Sequence, residues 1–102
     1  MADLEQIKRW KAVEAVLKGA CSKLPPAPPA VHQEFEAQVA DFHHYIDHNE
    51  LELAFDELCA AAELAECRGG IWRDLERAAK FMKLNDRIPE LRRRFRLPPI
   101  PR

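Results

Sequence analysis

The chain has no threonine and only one serine, Ser22. Hydroxyl nucleophiles are therefore nearly absent, and no catalytic serine or threonine arrangement is expected. Its three glycines, Gly19, Gly69 and Gly70, are too few and too scattered for a loop that cradles phosphates. The cysteines Cys21, Cys59 and Cys67 are an odd number without a CxxC pair. That excludes a disulfide framework or a zinc knuckle and suits a reducing cytoplasm. Cys59 falls on the apolar side of its helix, as a small core residue does. β-Branched residues are few and no Asn-Gly or Asp-Gly turn occurs, so strand signals are missing. No apolar run approaches the roughly 20 residues that a membrane span needs. The start, MADLEQIKRWK, lacks the apolar stretch of a secretory signal. A cytoplasmic location and no cofactor are the resulting expectations.

One further absence organises the rest. Between Ala27 and Cys67 there is no Lys or Arg, against ten carboxylates: Glu34, Glu36, Asp41, Asp47, Glu50, Glu52, Asp56, Glu57, Glu63 and Glu66. The segment from Arg68 to Arg102 holds eleven Lys/Arg and four Asp/Glu. A net charge of −1 thus conceals an acidic centre and a basic end. An acidic surface steers basic molecules toward itself. The same layout also fits an acidic middle that packs beside the basic end of its own chain, with each exposed pair contributing about 0–1 kcal/mol.

What is present reads as helix throughout. The 102 residues, 47% of them hydrophobic, suffice for one core and match a single domain of common size. The first helix is expected from about Asp3 to Cys21, with Asp3 as cap and Gln6 as its capping-box partner. Leu4, Ile7, Trp10, Val13 and Leu17 recur at steps of three and four, on one face. A Pro-rich link at 23–29 interrupts the helices, because proline lacks the amide hydrogen and obstructs the preceding turn. It reads as an extended spacer across the end of a bundle, or as a ligand for a proline-recognising domain.

A second helix is expected from about Ala30 to Asp47, with Val31, Phe35, Val39, Phe42 and Ile46 as its stripe. Asn49 is the expected cap of the third helix, with Glu52 three residues on. Leu51, Ala54, Phe55, Leu58, Ala61, Ala62 and Ala65 form its inner face. The short connection makes these two helices antiparallel neighbours. Gly69-Gly70 is expected to end the third helix. A fourth runs from about Ile71 to Leu84, with Trp72, Leu75, Ala79 and Met82 inward. A short last helix begins at Pro89 and carries Leu91 and Phe95 on one side, with Arg92, Arg93, Arg94 and Arg96 around the rest. A Pro-rich tail follows at 97–102. The fold class is therefore all-α: an antiparallel bundle of four helices plus a short C-terminal helix.

The densest polar cluster is DFHHYIDHNE, residues 41–50. His44 and His48 lie four apart, as do His43 and Asp47. Such pairs bind zinc or nickel when about three or four ligands converge. Here the set is incomplete and no HExxH motif occurs, so no metal site is expected. At the end of a helical hairpin these histidines can cap, pair with carboxylates or touch a partner. Paired carboxylates such as Asp56-Glu57 are plentiful, yet nothing singles out a catalytic pair.

The run HHYIDHNELELAFDELCAAAE, followed by IWRDLERAAKFMKL, resembles the small helical immunity proteins of bacterial polymorphic-toxin systems, the MafI-type family. Its carriers are Glu50, Ala54 and Leu58 in an E-x-x-x-A-x-x-x-L helix start, then Met82 and Leu84 at a helix end. The resemblance spans about residues 40–84. It implies a protein that binds and blocks a cognate toxin. The leading reading is therefore a helical immunity or inhibitor-like binding protein, without catalytic activity, that acts through residues around Asp41–Asp56.

The expected partner-binding residues are Asp41, His44, Tyr45, Asp47, His48, Asn49, Glu50, Glu52 and Asp56, with the chain a monomer or weak dimer. Tyr45 reads either as an interface anchor or as a rim residue of the core. An alternative reading is a nucleic-acid-associated regulator that uses Arg92–Arg96. Ranked below it is a metal-dependent enzyme built on His43, His44, Asp47 and His48.

Overall fold

The computed structural model describes residues 3–97. Five α-helices follow one another: α1 (Leu4–Cys21), α2 (His32–Asp47), α3 (Leu51–Leu64), α4 (Gly70–Phe81) and α5 (Ile88–Arg96). Short 3₁₀ turns at Pro29–Val31 and Asn85–Arg87 lead into α2 and α5. No strand occurs among the described residues. The all-α bundle expected from helical periodicity is therefore the observed architecture. The first four helices alternate in direction, with α1 packed against α4 and α3, and α2 against α3. The fifth lies on the outside of α4.

The start of α1 follows the sequence closely. Asp3 caps it, its carboxylate accepting from the Gln6 N–H at 2.7 Å, which satisfies one of the orphan amides of the first turn. The apolar stripe is only half used. Val13 and Leu17 are fully buried, but Leu4 is 66% exposed and Ile7 37%. The reason is the drift of the stripe: three successive steps of three turn it by about half a revolution, so Leu4 lies on the side of α1 opposite the buried Val13. The proline link runs non-helical from Leu24 to Pro28. Pro25 and Pro26 border a hollow with Ala65, Cys67 and Ile71, which puts the link across the end of the bundle where α3 gives way to α4.

Three helix ends differ from expectation for one shared reason. Asn49 does not cap α3. It takes φ +56° and closes α2, with the Asn49 N–H donating to the Ile46 carbonyl and the Glu50 N–H to that of Tyr45 at 2.9 Å. This double bond pattern is a Schellman close. Asn suits both roles, and the tight link selects the left-handed one; Glu50 then precedes α3 without a side-chain cap bond. Likewise Gly69-Gly70 does not end α3. That helix stops at Leu64, and Glu66, at φ +56°, lets the Cys67 N–H donate to the Ala62 carbonyl. Gly69, at φ +85° and ψ −135°, instead precedes α4, and Gly70 is its first residue. The fourth helix stops at Phe81, short of Leu84, because Lys83 turns left-handed at φ +60° and the Leu84 N–H reaches the Ala79 carbonyl at 2.8 Å. The tail residues 98–102 lie outside the described residues.

One apolar cluster joins all five helices. Its largest fully buried side chains are Trp72, Phe42, Phe55, Leu17, Leu58, Leu75 and Val13, each contributing about 1.5–3 kcal/mol by leaving water. Ala54, Ala61, Ala62, Ala78 and Ala79 are fully buried as well, and their small size permits close helix approach. The Trp72 indole N–H, enclosed in this core, donates to the Cys67 carbonyl at 2.9 Å, so no buried donor is left unpaired there. Cys59 is 9% exposed, and burial pushes its thiol up to about 12. It is a core residue and a poor nucleophile.

Candidate protein-binding face

The α2–α3 hairpin carries the acidic segment, and helical geometry divides its carboxylates among different flanks. On α3, Leu51, Ala54, Phe55, Leu58 and Ala62 face the core. Glu50, Leu53 and Glu57 then recur at steps of three and four along the flank next to α2. Asp56 and Glu63 lie on the other flank, next to α5.

That second flank is already occupied. Arg87 donates to Asp56 at 2.7 Å, and Arg94 lies 2.6 Å from Glu63. Two further arginines of α5 also meet carboxylates of their own chain, Arg92 with Glu76 at 3.4 Å and Arg93 with Glu90 at 2.7 Å. Three bonds, two from Arg93 and one from Arg94, hold the Glu90 carboxyl down to about 2. Arg94 and Arg73 further stack near the rings of Trp72 and Phe95, at 5.4 and 4.5 Å. Part of the acidic segment is thus balanced internally along this seam.

The flank between α2 and α3 is different. Asp41 and Tyr45 are one turn apart on α2. Asp41 is close enough to Glu57 to raise its carboxyl pKa. The antiparallel register that sets Asp41 opposite Glu57 sets Tyr45 level with Leu53, one turn nearer the hairpin end. Tyr45 is half-buried against the core, while Leu53 is 45% exposed. The result is a strip with Tyr45 and Leu53 at its centre, Glu50 at one end and Asp41 with Glu57 at the other. One Glu57 oxygen, Oε2, is shut off from water without a hydrogen-bond partner. Desolvation first, then Asp41 and Asp56, push that carboxyl above its ordinary value. A carboxylate in this position gains from any cation that approaches it.

The other expected residues fall as follows. Asp47, His48, Asn49 and Glu50 are all exposed at the turn. Asp47 points to the opposite flank of α2, within electrostatic reach of Lys18. Glu52 borders a groove with Gln6, Trp10 and Met82 of α1 and the α4 end. The imidazoles of His44 and His48 lie 4.3 Å apart between centroids. His48 Nδ1 is 2.8 Å from the His44 carbonyl. A carbonyl only accepts, so Nδ1 is the donor in this contact. No group of three or more His, Cys, Asp or Glu side chains able to hold a metal converges among the described residues.

Sequence reasoning passed over Leu53 and Glu57 as members of this face. The signal for Leu53 was there: it is an apolar residue out of step with the inner-face spacing of α3. Glu57 carried no local signal, since its environment is made by Asp41 on another helix. Comparison with protein-family profiles, with curated proteins and with solved structures gives no match. No described helix is long and apolar enough to cross a membrane.

Proposed function

We propose that this chain is an immunity- or inhibitor-like protein that binds a basic protein partner, a bacterial toxin domain, on the α2–α3 hairpin. The observation that carries the reading is the strip of Asp41, Tyr45, Glu50, Leu53 and Glu57. An apolar centre bracketed by acids has the layout of a protein interface, with anchors in the middle and charge at the rim. The carboxylates speed the encounter with a basic surface, and Tyr45 and Leu53 slow its release. A cation from the partner would relieve the unpartnered Glu57 oxygen. The resemblance of residues 40–84 to MafI-type immunity proteins points the same way, and blocking a toxin needs no catalytic group.

The nucleic-acid reading through Arg92–Arg96 has less support. Arg92, Arg93 and Arg94 are engaged with Glu76, Glu90 and Glu63, so binding phosphates would require breaking these contacts.

The test is co-expression with the product of the adjacent reading frame, followed by binding kinetics on the purified pair. Glu50→Lys should slow association at low salt and lose its effect as salt rises and the Debye length falls below about 8 Å. Asp47→Lys, off the strip, should act less. Tyr45→Ala and Leu53→Ala should speed dissociation. Association indifferent to Glu50→Lys at every salt concentration would overturn the reading and leave the acidic segment as charge balance alone.

A further inference from the structure

A hollow of about 230 Å³ lies in the seam between α4 and α5, lined by Arg73, Glu76 and Lys80 from the first and by Arg92, Phe95 and Arg96 from the second. Steps of three and four put each trio on one flank of its helix. Four positive side chains less one negative leave this lining a formal excess of three charges. The negative one is set into the wall. Glu76 is buried, and its Oε2 already takes Lys80 at 3.0 Å and Arg92 at 3.4 Å. Among the described residues, neither Arg73 nor Arg96 has a carboxylate partner. The Arg73 guanidinium lies over the Phe95 ring, 4.5 Å from its centroid. Contact with a ring face fixes the guanidinium without engaging its N–H groups in hydrogen bonds. All four cations are exposed, so their combined field reaches into the solvent and draws anions to the seam.

Size and chemistry narrow the occupant. The hollow is smaller than the roughly 300–1,000 Å³ of pockets that take organic ligands. Its one aromatic ring lies under Arg73, so it offers a nucleobase no platform for stacking. What it offers instead is guanidinium forks, whose paired N–H groups match two oxygens of a phosphate. We propose that the α4–α5 hollow is a binding site for a compact phosphate anion of the pyrophosphate kind, gripped between Arg73 and Arg96. Lys80 and Arg92 stay bonded to Glu76 and contribute charge rather than direct contacts. Glu76 is the element that makes the site selective for charge number: it already neutralises one cation, and a multivalent anion answers the remaining excess better than chloride does. The site uses none of the strip residues on the hairpin, and its failure would leave the proposed function untouched.

Isothermal titration calorimetry of the full chain with sodium pyrophosphate tests this, with sodium chloride at matched ionic strength as the reference. The expected result is saturable binding of one pyrophosphate per chain and none of chloride. Arg96→Gln should weaken that binding about tenfold or more, the loss of a charge-assisted contact. This side chain is exposed and unpaired, so circular dichroism and melting should not change. Arg73→Gln should weaken binding similarly, and Arg73→Lys, which keeps the charge but not the fork, should fall between. Lys18→Gln removes a cation on α1, where it pairs with Glu14, and should leave the affinity unchanged. Pyrophosphate binding no better than chloride would overturn the proposal, whether or not a polynucleotide binds to the same variants. So would an affinity indifferent to Arg96→Gln, or one that Lys18→Gln lowers as much, since either would mean a diffuse response to net charge.

Discussion

Arg87 ties the basic end of the chain to its acidic centre: its guanidinium donates to Asp56 at 2.7 Å and lies 5.0 Å from the centroid of Phe55. Asp56 and Phe55 are sequence neighbours on α3, one facing the surface and one fully buried. A single arginine in the turn before α5 therefore touches both the charge pattern and the edge of the core. Because both members of the ion pair are substantially exposed, its worth is modest. Arg87→Met should cost no more than about 1 kcal/mol, and a double-mutant cycle with Asp56→Asn should read a coupling of about 0.2–1 kcal/mol in urea unfolding. A coupling indistinguishable from zero would mean that the contact is incidental.

Leu58 is fully buried on the inner face of α3. Leu58→Ala should destabilise the bundle by about 2–5 kcal/mol, the sum of lost transfer energy and the cavity left behind. Denaturant unfolding measures this directly, and a loss well below 1 kcal/mol would show that neighbouring helices collapse into the space.

Glu66 and Lys83 occupy left-handed backbone that glycine adopts without strain. Both side chains are exposed, so nothing is lost with them. Glu66→Gly and Lys83→Gly should each raise stability by about 1 kcal/mol. Asn49→Gly should gain less, since Asn tolerates this conformation. Gly69→Ala should do the reverse, costing about 1–3 kcal/mol at a backbone conformation reserved for glycine. Thermal melts of the four variants give the order, and a stabilising Gly69→Ala would contradict it.

Two glutamates should respond to pH with opposite signs. The Glu57 carboxyl sits above its ordinary value, so the folded chain holds that proton more tightly than the unfolded one. Its ionisation opposes folding in full above the raised value, and the opposition vanishes below the ordinary 4.5. Glu57→Gln should thus stabilise at neutral pH and become neutral in acid. The Glu76 carboxyl sits lower than usual, chiefly through its bond to Lys80 and secondarily through Arg92. Its contribution is present at neutral pH and is lost as pH falls below 4.5. Glu76→Gln should destabilise at neutral pH and lose that effect in acid. Unfolding free energies measured across the acid range decide both, and parallel curves for the two variants would refute the assignment.

Helix count, helix faces and the core were legible in the order of residues, because they rest on local rules. Proline cannot continue a helix, the Asp3 carboxylate finds amides three residues away, and the spacing of Leu51, Ala54, Phe55 and Leu58 admits one inner face. Charge segregation was equally plain. Helix ends were less so: Asn49 satisfies the rules for opening a helix and for closing one, and only the tight two-helix link selects the second. Tertiary structure alone decided which carboxylates remain available. Asp56 and Glu57 are adjacent and alike in sequence, yet a rotation of about 100° per residue turns one toward Arg87 and the other toward Asp41. The same holds for the apolar stripe of α1, uniform from Leu4 to Leu17 as a pattern. Burial depends on which side of the helix meets its neighbours, and steps of three carry Leu4 about half a turn away from Val13.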